Sequence, residues 1–313
     1  MTRCMLPEVA KIFGGYQADS PRSLQVHIGP SEVGHTCELH LAYKLLNTPA
    51  VKPDALKWAA LVGTWGHKGA EKAMRWHNKQ LDRERWLVER RAHIDDELVP
   101  GGSTDVFDVD NHEVVDWKFI GESSMTKYKR HGPPGIYVVQ AMLYGLGWMR
   151  MGRTVHSVRI IFLPRWSNEL VRDGWEWAAP YDERTALDAL ARLHEIQAKA
   201  NLAAGGLLPW ADIPRDTTAC RFCPWHDAGK TSGEPDASGC AGWSKPRADL
   251  AELGGVTTAA HIIGEADGLT IMIRRAPTLQ ALNALWKSFA STGEWTQAHT
   301  NEAKQRKVAL AST

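Results

Sequence analysis

The sequence predicts a mixed α/β protein, one sheet of short strands with helices around it and a small helical module at the end. Three observations carry this expectation. Helix-period segments alternate with strand-period segments between residues 31 and 204. Hydrophobic residues make up 43% and charged residues 23% of 313 positions, the balance of a folded chain long enough for one sizeable core plus an appendage. Beyond Leu250 the pattern turns purely helical, over 277–291 and 295–310. The expected division is 1–250 for the main domain and 251–313 for the helical module.

Residues 1–30 read as irregular, with Gly14-Gly15 and prolines at 7 and 21. Ser31 then caps a short helix in which Leu39, Tyr43 and Leu46 recur at helical spacing. A second helix is expected from about Asp54 to Leu81. Three short strands follow in 84–94, 101–110 and 112–121, rich in β-branched and aromatic residues with turn residues between them. A helix over about 135–151, strands in 154–164 and 170–180, and a helix from Tyr181 to about Ala204 complete the layout. Residues 227–239, rich in Gly, Ser, Asp and Pro, read as a loop.

Lys and Arg total 37 against 36 Asp and Glu, which excludes a uniformly basic nucleic-acid coat but not a local basic groove. No apolar run approaches the ~18 residues of a membrane span, and the start lacks a signal-peptide core, so a cytoplasmic protein with no membrane partner is expected. Fourteen Trp against six Tyr and six Phe is an excess that reads as core filler, with stacking on bases as the alternative use. Five cysteines in such a chain do not suggest a disulfide scaffold. Cys37 at the head of a helix, with Cys220, Cys223 and Cys240 clustered late, is instead a four-ligand arrangement; Cys4 reads as a bystander.

The most informative stretch is residues 101–119, GGSTDVFDVDNHEVVDWKF. With a turn at Asp110-Asn111, Asp105 lies directly opposite Asp116 on one face of the sheet, with Cβ atoms roughly 5 Å apart. Lys118 shares that face, because side chains alternate along a strand. Two opposed carboxylates repel and weaken a hairpin, unless a hard divalent cation such as Mg²⁺ or Mn²⁺ sits between them. Such a cation polarises a phosphate and lowers the pKa of a bound water, and the lysine stabilises charge beside it. The bland alternative is a hairpin whose charges are merely solvated. On the following helix Gln140 and Tyr144 project from one face at i, i+4. On the preceding helix His67, in G-T-W-G-H, could complete a metal shell, with Glu71 one turn on as its competitor.

The order G-x(3)-H, G-x-x-D, D-x-K and Q-x(3)-Y resembles the RecB-type nucleases of the PD-(D/E)xK superfamily, over about residues 30–245. The resemblance implies a restriction-endonuclease-like core and a metal-dependent deoxyribonuclease. His67, Asp105, Asp116 and the backbone carbonyl of Trp117 would be metal ligands, and Lys118 the catalytic lysine. Gln140 and Tyr144 would position the strand and the lysine. Asp116 stands where many relatives carry Glu.

A subgroup of these nucleases, including the CRISPR-associated exonucleases and AddB, holds a [4Fe–4S] cluster on one early and three late cysteines. Cys37, Cys220, Cys223 and Cys240 are similar in order, though the gap before Cys240 is longer than usual there. His226 in place of one of them would favour zinc. The resemblance therefore implies an exonuclease acting on DNA ends, favouring single strands and running 5′ to 3′, in recombination, repair or phage DNA processing. A strand-annealing recombination protein is a possible partner, and a bacterial cytoplasm the setting. A structure-specific endonuclease and a non-catalytic iron–sulfur end-binding protein are the rival readings. Lys127, Lys129, Arg130 and His131, in what reads as a loop after the catalytic strand, are candidate phosphate contacts, whereas Arg83 to Arg91 reads as a solvated edge.

Overall fold

A computed structural model describes residues 5–19, 27–51, 57–227, 235–242, 273, 276, 279–290 and 295–311. Its helices, in chain order, are α1 Leu6–Ala18, α2 Pro30–Val33, α3 Glu38–Leu45, α4 Trp58–Leu81, α5 Glu122–His131, α6 Gly135–Arg150, α7 Leu170–Asp173, α8 Glu183–Ala204, α9 Leu279–Ala290 and α10 Gln297–Ala311. The strands are β1 Trp86–His93, β2 Gly101–Asp108, β3 Glu113–Ile120, β4 Ser157–Pro164 and β5 Trp175–Pro180. The chain divides into two compact units, Met1–His35 with Asp54–Leu193, and Thr36–Pro53 with His194–Thr313. The boundary expected near residue 250, like Cys4, lies outside the described residues.

The first unit holds the sheet, in the order β1-β2-β3-β4-β5. All neighbours are antiparallel except β3 and β4, which run parallel. A parallel pair needs a crossover, and α5 and α6 supply it. The expected mixed sheet flanked by helices is therefore what forms. Helix α6 buries every residue from Gln140 to Trp148. Its glycines let neighbours close in: a Cβ on Gly145 would fall 2.5 Å from the Tyr181 ring, and one on Gly147 2.8 Å from Ala92. Trp148 packs on Phe107, with ring centroids 4.7 Å apart, and its indole N–H donates to Thr104 Oγ1 at 3.2 Å. Elsewhere Met74 of α4 packs against the valine cluster of Val88, Val106 and Val115.

The β2–β3 hairpin has the expected register, with Val106 opposite Val115 and Phe107 opposite Val114. Its turn spans four residues, 109–112, instead of two. The reason is Asp108, which is 2% exposed. Its carboxylate accepts from the Asp110 N–H at 3.0 Å, from Asn111 Nδ2 at 2.7 Å and from both Arg85 Nε and Nη2 at 3.1 and 2.9 Å. Burial works to raise the Asp108 pKa, but Arg85 and Asn111 outweigh it and hold the carboxyl below its ordinary value. A depressed carboxylate pKa stabilises the fold fully above the unfolded value of about 3.9, and that stability is lost as pH falls through the folded value. Asp108→Asn is expected to cost about 2 kcal/mol at neutral pH, and to flatten the acid limb of stability in urea titrations between about pH 5 and pH 2.

Four segments differ from expectation. Residues 6–18 form α1 despite Gly14-Gly15, because Phe13 docks on Trp58 and Trp65 of α4 with ring centroids 5.9 and 5.4 Å away. Tertiary packing overrides the weak glycine penalty there. The segment from Ser31 splits into α2 and α3, with Cys37 as the N-cap of α3. The basic stretch after β3 is helix α5, not a loop. Glu122 at its start, Lys129, Arg130 and His131 in its last turn, and left-handed Gly132 (φ 81°) at its end supply a complete set of stop and dipole signals. Leu170–Asp173 is a short helix, which confines the last strand to β5.

In the second unit α3 buries Leu39, Leu41, Ala42 and Tyr43. Tyr43 stacks on Trp210 at 5.2 Å and donates its hydroxyl to the Asp236 carbonyl at 2.8 Å. Leu202, Ile273, Ala276, Leu282 and Leu285 form a separate apolar cluster. Among the described residues no helix is long and apolar enough to cross a membrane.

Candidate active site

Strands β2 and β3 keep their ladder only from Val106 and Val115 to the turn. Beyond it β2 pairs with β1 and β3 with β4. Asp105 and Asp116 are the first residues past the end of the shared ladder. There the Asp105 carboxylate takes over the role of a ladder carbonyl: its Oδ2 accepts the Trp117 N–H at 2.8 Å. The main chain of Trp117 thus enters the site through its N–H.

The other oxygen of Asp105 lies 3.0 Å from His67 Nδ1. A carboxylate only accepts, so Nδ1 carries the proton and a neutral ring keeps a lone pair on Nε2. Gly66 makes the approach of α4 possible, since a Cβ there would fall 2.8 Å from the Phe119 ring. Glu71, the competing ligand, is turned to Lys68 at 2.8 Å and Arg75 at 3.1 Å.

Asp116 is 2% exposed. Its Oδ2 stands 2.6 Å from Lys118 Nζ, yet no aligned hydrogen bond reaches that oxygen. Its Oδ1 accepts from Gln140 Nε2 at 3.1 Å. The Gln140 amide closes the circle: its Oε1 accepts from Lys118 Nζ at 2.9 Å, and its Nε2 also lies 3.3 Å from the Tyr144 hydroxyl oxygen. Burial holds the Asp116 carboxyl above the usual carboxylate range; the Lys118 ammonium pulls it down and Asp105 pushes it up again. A buried carboxylate beside a second one needs positive charge, and Lys118 supplies it here.

All six side chains singled out from the sequence, His67, Asp105, Asp116, Lys118, Gln140 and Tyr144, therefore meet in the first unit. Gly102 of G-x-x-D explains itself by contact, because a Cβ there would fall 2.9 Å from Pro30 and 3.3 Å from the Tyr144 ring. Gly102→Ala is expected to cost about 1–3 kcal/mol through overpacking, read as a lower melting temperature, with Tyr144 displaced.

Two further residues adjoin the site outside the motifs named above. Tyr137, one turn before Gln140 on α6, covers Lys118, with Nζ 4.8 Å from its ring centroid. Its i, i+3 spacing to Gln140 is the signal that could have found it. Glu89 lies in β1 between Val88, paired with Val106, and Arg90, paired with Thr104, which sets it beside Asp105. It adopts φ 53°, unusual for a strand residue. Burial raises its pKa, and Asp105 raises it further. No sequence pattern announces a left-handed glutamate.

The cysteines lie in the second unit. Cys220 sits in a short 3-10 turn, Thr217–Phe222, followed directly by Cys223. Cys240 pairs in a bridge with His226, and its Sγ accepts the Gly242 N–H at 3.3 Å. A Cβ on left-handed Gly242 (φ 78°) would fall 3.3 Å from Cys220 Sγ and 2.7 Å from the His226 ring. Burial pushes the Cys223 thiol up to about 11, and Cys37, Cys220 and Cys240 each add to the rise. Among the described residues, no set of three or more His, Cys, Asp or Glu side chains is arranged to hold a metal ion.

No protein-family profile and no curated protein matches the chain. Among solved structures it is similar to an alkaline exonuclease, LHK-Exo, from Laribacter hongkongensis, at 12% identity and a TM-score of 0.41, over 57% of this chain and 90% of that one. LHK-Exo in complex with dAMP gives 13%, 0.38, 56% and 88%. A phage-related exonuclease from Haemophilus somnus 129PT gives 13%, 0.33, 54% and 78%. At these values the functional reading rests on the side chains of the site.

Proposed function

We propose that this chain is a metal-dependent deoxyribonuclease of the RecB-type PD-(D/E)xK class, an exonuclease that works at DNA ends, favours single strands and runs 5′ to 3′. One observation carries the reading: Asp105 and Asp116 stand side by side where β2 and β3 part, and Lys118 lies 2.6 Å from the second of them. A purely structural hairpin gains nothing from that repulsion.

The donor chemistry suits a hard divalent cation, because two adjoining carboxylates, one of them buried, supply hard oxygen donors, although in this structure His67, Asp105 and Asp116 are not gathered into a ligand set. His67, Asp105, Asp116 and the Trp117 carbonyl would hold Mg²⁺ or Mn²⁺. When bound, the cation would polarise the scissile phosphate and lower the pKa of a water. The remaining work belongs to the chain. Asp105 fixes the tautomer and aim of His67 through Nδ1. Lys118 brings a fixed positive charge to the oxygens on which charge builds during phosphodiester hydrolysis. Gln140 aims Lys118, Tyr144 steadies Gln140, and the Tyr137 ring shields the ammonium from water. On α5, the exposed Lys127 and Arg130 would meet phosphates of the bound strand.

The same reading assigns a [4Fe–4S] cluster to Cys37, Cys220, Cys223 and Cys240. Support comes from the Gly242 N–H aimed at Cys240 Sγ, from the lack of room for a Cβ at Gly242, and from the closeness of Cys37, Cys220 and Cys240 to Cys223, whose thiol they help to raise. The closeness of the His226 ring to Gly242 favours zinc as the second reading at this place.

The test is cleavage of 5′- and 3′-labelled single- and double-stranded DNA by anaerobically prepared protein, with Mn²⁺ or with EDTA. Loss of the 5′ label from single strands in Mn²⁺ alone is the expected result. No cleavage by folded, metal-replete protein would overturn the nuclease reading.

A further inference from the structure

Helix α4 carries His67 on its inner side, toward Phe119, 5.5 Å away between ring centroids. Its outer side is unusual. Trp58, Trp65 and Trp76 recur at intervals of seven and eleven residues, so they line one face over five turns, about 27 Å. Phe13 of α1 packs against Trp58 and Trp65, at 5.9 and 5.4 Å between ring centroids, and leaves them 51% and 41% exposed, while Trp76 is 61% exposed. Lys72 lies between the last two and Lys79 one turn beyond, both exposed. Among the described residues neither lysine forms an ion pair. Among the described residues of α4 no carboxylate shares this face; Glu71 points away, to Lys68 and Arg75.

Trp76 has an aromatic neighbour on one side. Its ring lies along His77, with centroids 6.5 Å apart and planes at 29°. His77 Nδ1 accepts the Trp86 indole N–H at 2.8 Å, and Arg85 covers the Trp86 ring at 4.1 Å. One side of Trp76 thus faces His77 while its outer surface stays in solvent. A large exposed indole is costly in water unless something covers it.

We propose that the outer face of α4, from Lys72 through Trp76 to Lys79, with the part of Trp65 that Phe13 leaves exposed at its edge, is a track for a single strand of nucleic acid. Flat indoles separated by unpaired cations match a polyanion whose bases stack without regard to sequence. A protein partner or a lipid surface would call for aliphatic residues between the indoles, where this face has Gly69, Lys72 and Ala73. The track rests on the nuclease reading for its purpose, since the same helix delivers His67 to the site and would guide the strand next to it.

The test is fluorescence anisotropy with a fluorescein-labelled 30-nucleotide oligo-dT, in EDTA, so that binding is read apart from cleavage. Trp76→Ala is expected to weaken binding about tenfold. The pair Lys72→Ala and Lys79→Ala is expected to reduce the slope of log affinity against log salt by about 0.7 per lysine. Circular dichroism identifies any variant that fails to fold; the lysine pair, on an exposed face, keeps the test open if Trp76→Ala is one. Affinity and salt slope unchanged in both folded variants would overturn the proposal, as would loss of binding to anionic lipid vesicles with oligo-dT binding intact. Absence of cleavage by the wild type, with the variants still weakened in binding, would remove the nuclease reading and leave the track.

Discussion

Lys118→Met is expected to lower DNA cleavage about 10²–10³-fold, measured as single-turnover release of label in Mn²⁺, with oligonucleotide binding close to that of the wild type. Methionine keeps the length of the stem and removes the charge. Three contacts fix that charge: Asp116 Oδ2 at 2.6 Å, Gln140 Oε1 at 2.9 Å and the Tyr137 ring at 4.8 Å. Its position is therefore set before substrate arrives, which is the condition under which one charge is worth most in a dry site. Removing it also takes away the influence that pulls the buried Asp116 carboxyl down, so that Asp116 rises further. Lys118→Arg is not expected to rescue activity, because a planar guanidinium cannot take the place of a compact ammonium between Asp116 and Gln140. Full activity in Lys118→Met would remove the lysine from the mechanism.

The second large effect is expected from Cys223→Ala. Burial and the nearness of Cys37, Cys220 and Cys240 all raise the Cys223 thiol, a setting that favours the thiolate only when a metal group binds it. Anaerobically purified wild type is expected to be brown, with about four iron and four sulfide per chain, and Cys223→Ala colourless. Losing a structural metal group belongs to the few changes that cost more than about 4 kcal/mol, so the melting transition of the second unit should drop sharply or vanish. Zinc in place of iron, in colourless wild type, would decide for the alternative with His226. Wild type free of both metals, or a variant as stable as wild type, would contradict a metal at the cysteines.

Much of the first unit was legible because its signals are local. Alternation in 101–119 fixed which residues oppose one another, and the observed pairing of Val106 with Val115 keeps that register even though Asp108 widens the turn. The i, i+4 spacing of Gln140 and Tyr144 put both on one side of α6, where Gln140 Nε2 lies 3.3 Å from the Tyr144 hydroxyl oxygen. What stayed hidden depends on distant partners. Helix α1 needs Phe13 to meet Trp58 and Trp65, a contact no window around Gly14-Gly15 contains. Helix α5 was masked by its own charges, although Met125 is buried and Tyr128 packs on Phe162 at 5.4 Å. Glu89 belongs to the site through a left-handed backbone inside a strand, for which single-sequence patterns have no sign.

The central claim is that Asp105 and Asp116 together hold a divalent cation on which DNA cleavage depends. The most direct measurement is Mn²⁺ binding by electron paramagnetic resonance on wild type, Asp105→Asn and Asp116→Asn, with cleavage followed in the same samples. The account predicts saturable Mn²⁺ binding by the wild type, weakened at least tenfold in each variant, and cleavage lost in step with it. Mn²⁺ binding unchanged by both substitutions, or cleavage that persists in either variant or in EDTA, would contradict it.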